Sequence, residues 1–218
     1  MIPTDSFAAF LFDMDGTVTN SIAATERVWT AWARRHGLDV EAFLPTIHGV
    51  RAEETIRRQN LDGIDIAREV AAVLAGEIAD IDDVHPIPGA DAFLRALPAG
   101  RWAVVTSAQR DLALSRLGAA GLPIPAVLVT AEDVARGKPA PDGYVLAAQR
   151  LGVAIHDCLV FEDAPAGIQA GEAAGAQVIV ITAAHAHPFE TAHATLADYS
   201  HVRVAVEGDR LRLNPPLS

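Results

Sequence analysis

The sequence predicts an α/β protein: a doubly wound, mainly parallel sheet interrupted after its first strand by an inserted helical domain. Three observations predict it. Beyond residue 86, short apolar runs alternate with helical stretches, which implies βαβ units and a parallel sheet covered on both faces. Between residues 21 and 83 no strand-like run occurs. Between the two regimes, the segment VHPIPGA at 84–90 carries two prolines and a glycine and reads as a hinge.

The elements follow in order. Residues 7–12 form an apolar run ending at Asp13 and read as one buried strand. In 21–36, Ile22, Val28, Trp29 and Trp32 fall at helical spacings, and Gly37 is a stop signal. Two further helices are expected over 53–59 and 64–78. After the hinge, helices are expected at 90–97, 111–120, 142–151 and 166–174. Strands are expected at 102–106, 127–130, 158–161 and 178–181. RVAVEGDRLRLN at 203–214 has two β-rich arms around Gly208 and predicts a hairpin. The expected division is a core of 1–20 and 86–218 with a helical cap of 21–85.

Composition narrows the partners. The 218 residues are 50% hydrophobic and 21% charged, with a formal net charge of −11. Such a chain lacks the basic face of a nucleic-acid binder and the basic patch that holds a protein on an anionic membrane. The single cysteine, Cys158, cannot form an internal disulfide. No signal-peptide pattern opens the chain and no apolar run reaches membrane-spanning length, so a cytoplasmic protein is expected, monomeric or a small homo-oligomer. Among the seventeen basic side chains only one is a lysine, Lys138.

In open α/β sheets ligands bind beyond the carboxyl ends of the strands. The first strand ends in Asp13-Met14-Asp15-Gly16-Thr17. If the strand continues, both carboxylates project the same way, an arrangement that calls for a nearby cation; a hard ion such as Mg²⁺ suits oxygen ligands. A plain Asp-Gly turn is the structural alternative. Thr106 and Ser107 follow the next strand, where hydroxyls and N–H groups at a helix start suit phosphate oxygens, or simply cap the helix. Lys138 lies in a loop constrained by Gly137, Pro139 and Pro141, a point charge aimed at something. Glu162 and Asp163 form a second acidic pair at a strand end; capping of the following helix would explain Asp163 but not Glu162.

Taken together, DMDGT, the Thr106-Ser107 pair, GKP around Lys138 and EDAPAG at 162–167 resemble the four motifs of the haloacid dehalogenase superfamily, whose core is Rossmannoid and whose cap, when helical, lies between the first two motifs. WARRHGL, IHG, VTSAQRD, GKPAPDGY and VFEDAPAGIQAGEAAGA are similar to segments of sugar, hexitol and glycerol-phosphate phosphatases. The resemblance implies a Mg²⁺-dependent phosphatase acting on a small phosphorylated sugar, hexitol or polyol. Asp13 would attack phosphorus, and Asp15 would protonate the leaving group and then activate water. Asp13, the Asp15 carbonyl and Asp163 would hold the metal, with Glu162 behind them, and Thr106, Ser107 and Lys138 would bind the phosphoryl group. In the cap, Ile47-His48-Gly49-Val50-Arg51 resembles an HG-containing segment of these phosphatases, so His48 and Arg51 are expected to contact substrate. Thr19-Asn20-Ser21 departs from the pattern, since many members carry an acidic residue before the serine; the departure is expected to affect cap entry rather than chemistry.

Other reactions of the superfamily fit less well. Hydrolytic dehalogenases lack the second aspartate, present here as Asp15. Phosphonate-cleaving members need a cap lysine, and the one lysine lies in the core. A β-phosphoglucomutase-like mutase shares all four motifs and stays open as the alternative. A non-enzymatic sugar-phosphate sensor is expected to lose Asp13 or Asp15. Trp29 and Trp32 are expected in the cap core, with a pocket role as the second reading. His185, His187 and His193 read as a solvated loop rather than a metal site.

Overall fold

A computed structural model describes residues 3, 5–184 and 190–214. The strands are β1 (Ser6–Phe7), β2 (Ala9–Phe12), β3 (Thr19–Asn20), β4 (His85–Pro86), β5 (Trp102–Val105), β6 (Val127–Val129), β7 (Cys158–Glu162), β8 (Gln177–Ile181), β9 (Ala194–Leu196), β10 (Arg203–Glu207) and β11 (Arg210–Asn214). The α-helices are α1 (Ile22–Arg35), α2 (Val40–Phe43), α3 (Ala52–Arg58), α4 (Ile66–Ala79), α5 (Ala90–Arg95), α6 (Arg110–Ala119), α7 (Asp142–Leu151) and α8 (Pro165–Ala174).

Six strands form a parallel sheet in the order β6-β5-β2-β7-β8-β9. The chain builds one side of β2 with β5 and β6, then crosses to the other side with β7. The topological switch therefore lies beside β2, and the loops after β2, β5, β6 and β7 meet at one edge. Residues alternate between the two faces of β2, and both faces are buried. Phe10 and Phe12 pack with Phe93, Phe161 and Tyr199, while Ala9 and Leu11 pack with Val105, Tyr144 and Val160. Stacked and edge-on rings join Phe12, Phe161 and Phe93 across the first face.

The helices between β3 and β4 have an apolar cluster of their own, made of Trp29, Trp32, Phe43, Ile47, Ile56 and Val73. They leave and re-enter the core through a two-stranded stem in which Thr19 pairs with Pro86 and Asn20 with His85.

The elements differ from those expected in three ways. The run 7–12 is two strands. Ala8 separates them, its N–H bonding the Asp157 carbonyl; β1 pairs antiparallel with β11 in a separate three-stranded sheet while β2 enters the main one. Both sheets bury their share of the run, which is why it reads as continuous. Second, β9 and α2 carry too little apolar signal to be predicted: Ala194–Leu196 is three residues and Val40–Phe43 is four. Third, the antiparallel stem was not foreseen. The predicted hairpin is present as β10–β11, paired from Arg203↔Asn214 to Glu207↔Arg210. Among the described residues no helix is long and apolar enough to cross a membrane.

Candidate active site

Asp13 follows β2 directly, and its N–H still bonds the Phe161 carbonyl of β7. The strand then stops. The N–H groups of Val18 and Thr19 converge on the Met14 carbonyl, at 2.9 Å each, with Thr17 at 3.3 Å. Gly16 makes the turn at φ 88°, a region that favours glycine. A Cβ there would also lie 2.0 Å from Asp163 Oδ2, so this glycine lets the two loops touch. Of the two readings of this segment, a continued strand or an Asp-Gly turn, the turn is the one formed. The turn sends the carboxylates to different cationic partners, although both line one cleft.

Asp13 pairs with Lys138, and the same ammonium donates to Glu162 Oε1 at 2.6 Å and to the Val105 carbonyl at 3.1 Å. Every donor of the ammonium therefore has an acceptor at a β2, β5 or β7 end. Glu162 is fully buried and accepts four bonds. Its Oε1 takes Lys138 and the Tyr144 hydroxyl at 2.8 Å; its Oε2 takes the N–H groups of Asp163 and Ala164 at 2.9 and 3.2 Å. Tyr144, on α7, closes the GKPAPDGY segment, but the sequence assigns it no role, because its hydroxyl finds Glu162 only once α7 is packed on the sheet. Burial alone would push the Lys138 ammonium down, but Asp13 and Glu162 more than offset it and hold its pKa above the ordinary lysine value. Burial pushes the Asp13 carboxyl well above the usual carboxylate range. Lys138 pulls it back, while Glu162, Asp163 and Asp15 push it further up.

Asp15 has its own set of partners. Its Oδ2 lies 3.0 Å from Arg116 Nη1, and its Oδ1 accepts from Ser21 at 2.6 Å and Thr19 at 3.3 Å. Arg116 was not anticipated, since one arginine on a helix of ordinary composition carries no motif. Thr19 and Ser21 also alter an expectation. Thr19 and Asn20 form the stem strand and Ser21 is the N-cap of α1, and the hydroxyls of Thr19 and Ser21 hold Asp15.

Thr106 and Ser107 lie before the helix rather than at its start: α6 begins at Arg110, and its N-cap is Gln109. Thr106 Oγ1 accepts from the Ala108 N–H at 3.0 Å, and Ser107 Oγ donates to the Gly49 carbonyl of the cap at 2.8 Å. The N-cap of α8 is Ala164, and the Glu162 side chain takes the N–H groups of Asp163 and Ala164.

A cavity of about 310 Å³ lies between cap and core. Asp13, Asp15, Thr106, Ser107 and Arg116 line it from the core, and His48, Arg51, Trp29 and Glu77 from the cap. His48 Nε2 is 3.5 Å from Glu26. Arg51 lines the cavity and also bonds the core. Its Nη2 and Nη1 donate to the carbonyls of Val134 and Ala135, at 2.7 and 3.2 Å, so it straps the cap to the loop that carries Lys138. Trp32 belongs to the cap core and donates to Glu69, whereas Trp29 serves both core and cavity. Burial pushes the Cys158 thiol up to about 12, so it stays protonated and unreactive. His193 pairs with Glu172 at 2.8 Å; His185 and His187 lie outside the described residues.

The acidic groups fit a hard cation. Asp13, Glu162 and Asp163 offer carboxylate oxygens within 4.8 Å of one another, all buried, against the single charge of Lys138. Buried like charges in excess are costly, and a divalent ion with oxygen ligands relieves that cost. Of the three, Glu162 already accepts four bonds. Thr17 donates to Asp163 Oδ1 at 3.2 Å and helps orient it.

Comparison with known proteins agrees with this geometry. The model of the haloacid dehalogenase-like hydrolases matches residues 7–175. The chain is 48% identical to hexitol phosphatase A of Escherichia coli over 80% of this chain and 82% of that one. It is 35% identical to 2-deoxyglucose-6-phosphate phosphatase 2 of Saccharomyces cerevisiae, over 84% and 83%. Among solved structures, a β-phosphoglucomutase from Clostridium difficile superposes with a TM-score of 0.77 over 89% of this chain and 92% of that one; at 20% identity it speaks to the fold alone.

Proposed function

The chain belongs to the haloacid dehalogenase-like hydrolases and is a phosphomonoester hydrolase, and from that premise we propose that it dephosphorylates a small sugar, hexitol or polyol phosphate through an aspartyl-phosphate on Asp13. One observation carries the reading. A buried aspartate beside a buried lysine and an acidic cluster opens into a cavity roofed by a helical cap.

In the proposed chemistry Asp13 attacks phosphorus while Lys138 offsets the negative charge that gathers on the phosphoryl oxygens. Thr106 and Ser107 would bind those oxygens through hydroxyl or N–H groups; Ser107 would first have to release Gly49. Asp15 gives a proton to the leaving oxygen and recovers one from the attacking water. Asp13, the Asp15 carbonyl and Asp163 would hold Mg²⁺, with Glu162 fixing Lys138 and the loop after β7. When bound, the metal supplies positive charge opposite the anionic phosphoryl group. The cap provides the contacts to the rest of the substrate, because the core residues handle only the phosphoryl group that every substrate shares. The relatives reported above support a hydrolase over a mutase, since both are named as phosphatases.

Phosphate release from a panel of hexitol, sugar and glycerol phosphates, with Mg²⁺ and with EDTA, tests the proposal. Turnover should require the metal and fall below a few per cent of wild type in Asp13→Asn, with an unchanged circular dichroism spectrum. Metal-independent turnover, an active Asp13→Asn, or isomerised sugar phosphate in place of free phosphate would each reject it.

A further inference from the structure

A buried guanidinium ties the cap to Asp15. Arg116 is 4% exposed and sits on α6 of the core. Its Nη1 reaches Asp15, while Nη2 donates to Thr25 Oγ1 at 2.8 Å and to Glu77 Oε1 at 3.1 Å. Thr25 lies on α1 and Glu77 on α4, both in the cap, and Glu77 is itself 7% exposed. Burying an arginine is costly unless its charge is matched. A cap-to-core tie needs only Glu77 for that; the second arm goes to Asp15. Ser21 and Thr19 hold the opposite oxygen of the same carboxylate. Both oxygens of Asp15 are thus fixed, one from the stem and one from Arg116. Arg116 in turn takes two of its three bonded partners from the cap.

We infer that Arg116 is a positioning residue for Asp15, and that Glu77 makes this positioning depend on the cap being seated on the core. The inference rests on the proposed role of Asp15. In the first step a P–O bond forms to Asp13. The bond to the leaving oxygen breaks with its electron pair, and that oxygen takes the proton of Asp15. In the second step water attacks phosphorus and gives a proton to Asp15, and the P–O bond to Asp13 breaks with its pair returning to the carboxylate. The proton lost first is regained second, and both transfers need the Asp15 carboxyl held toward the cleft. With the cap lifted, Arg116 loses Thr25 and Glu77, its guanidinium can rotate, and Asp15 is no longer fixed on that side.

Rapid-quench single-turnover measurements with glycerol 1-phosphate and p-nitrophenyl phosphate test this. The first leaving group needs a proton and the second does not. In Arg116→Lys, phosphoenzyme formation from glycerol 1-phosphate should fall about 10–100-fold, while nitrophenolate release falls by less than about threefold. Phosphoenzyme formed from p-nitrophenyl phosphate should then accumulate, because its hydrolysis needs Asp15 as base. Glu77→Gln should show the same selectivity at roughly 3–10-fold. Should Arg116→Lys fail to fold, the double variant Arg116→Met/Glu77→Met removes both buried charges together and should show the selective loss of the lysine variant. Equal losses on both substrates, or none on either, would overturn the inference. Absence of phosphoenzyme in the wild type would instead overturn the proposed function.

Discussion

Glu162 shows what one residue can require of its surroundings. Its four hydrogen bonds come from a lysine, a tyrosine and two main-chain N–H groups, and α8 must pass close beside it. That passage is possible because residue 167 is glycine: a Cβ there would lie 1.6 Å from Glu162 Oε1. Gly167→Ala should therefore displace the carboxylate and lower stability by about 1–3 kcal/mol. It should also lower kcat, because Lys138 loses its anchor. Tyr144→Phe removes one bond and leaves the others, so it should cost about 1–2 kcal/mol with a smaller kinetic effect. Urea unfolding and steady-state kinetics on both variants check the order. A Gly167→Ala protein as stable and active as the wild type would show that the carboxylate has room to move.

At the scale of elements, the 3₁₀ turn Ala131–Asp133 connects β6 to the Lys138 loop and contributes Ala131 and Glu132 to the cavity wall. Asp133 holds it in place. It closes a capping box with Thr130 and pairs with Arg150 at 2.6 Å and Arg110 at 3.0 Å. Partial burial raises its pKa, but the bonds from Arg150 and Thr130 outweigh this and lower it to about 2, from an ordinary 3.8. A carboxylate depressed in the folded state stabilises it fully above its unfolded pKa and loses that contribution as pH falls through the folded value. The gap in melting temperature between wild type and Asp133→Asn should thus be constant above about pH 5 and shrink from there toward pH 2. A gap independent of pH would mean that Asp133 acts through packing rather than charge.

Across the whole molecule, cap and core meet through polar ties around the cavity. Arg51 bonds the Val134 and Ala135 carbonyls, Ser107 bonds the Gly49 carbonyl, and Arg116 bonds Glu77. From the sequence alone, His48 and Arg51 looked equivalent, both being donors in one cap segment. The structure separates them. Arg51→Ala should loosen the cap and lower kcat/KM for hexitol phosphates and p-nitrophenyl phosphate alike. His48→Ala should weaken the hexitol phosphates selectively, by about 1–3 kcal/mol equivalent. Kinetics on both substrates distinguish the two, and a selective loss in Arg51→Ala would return that residue to substrate contact.

The sequence by itself determined the layered α/β core, the helical insert, the strand ends where Asp13, Thr106 and Glu162 lie, and the constrained loop of Lys138. Those features follow from local periodicity and from turn residues, and both are written along the chain. Only the tertiary structure decided what each charged group faces. It paired Asp15 with Arg116, gave Glu162 the Tyr144 hydroxyl, and directed Arg51 to main-chain carbonyls. Each of these pairings joins residues 18 or more positions apart, up to 101 between Asp15 and Arg116. No local pattern encodes such a partner, because a side chain's partner depends on which helices and loops the packed sheet brings beside it.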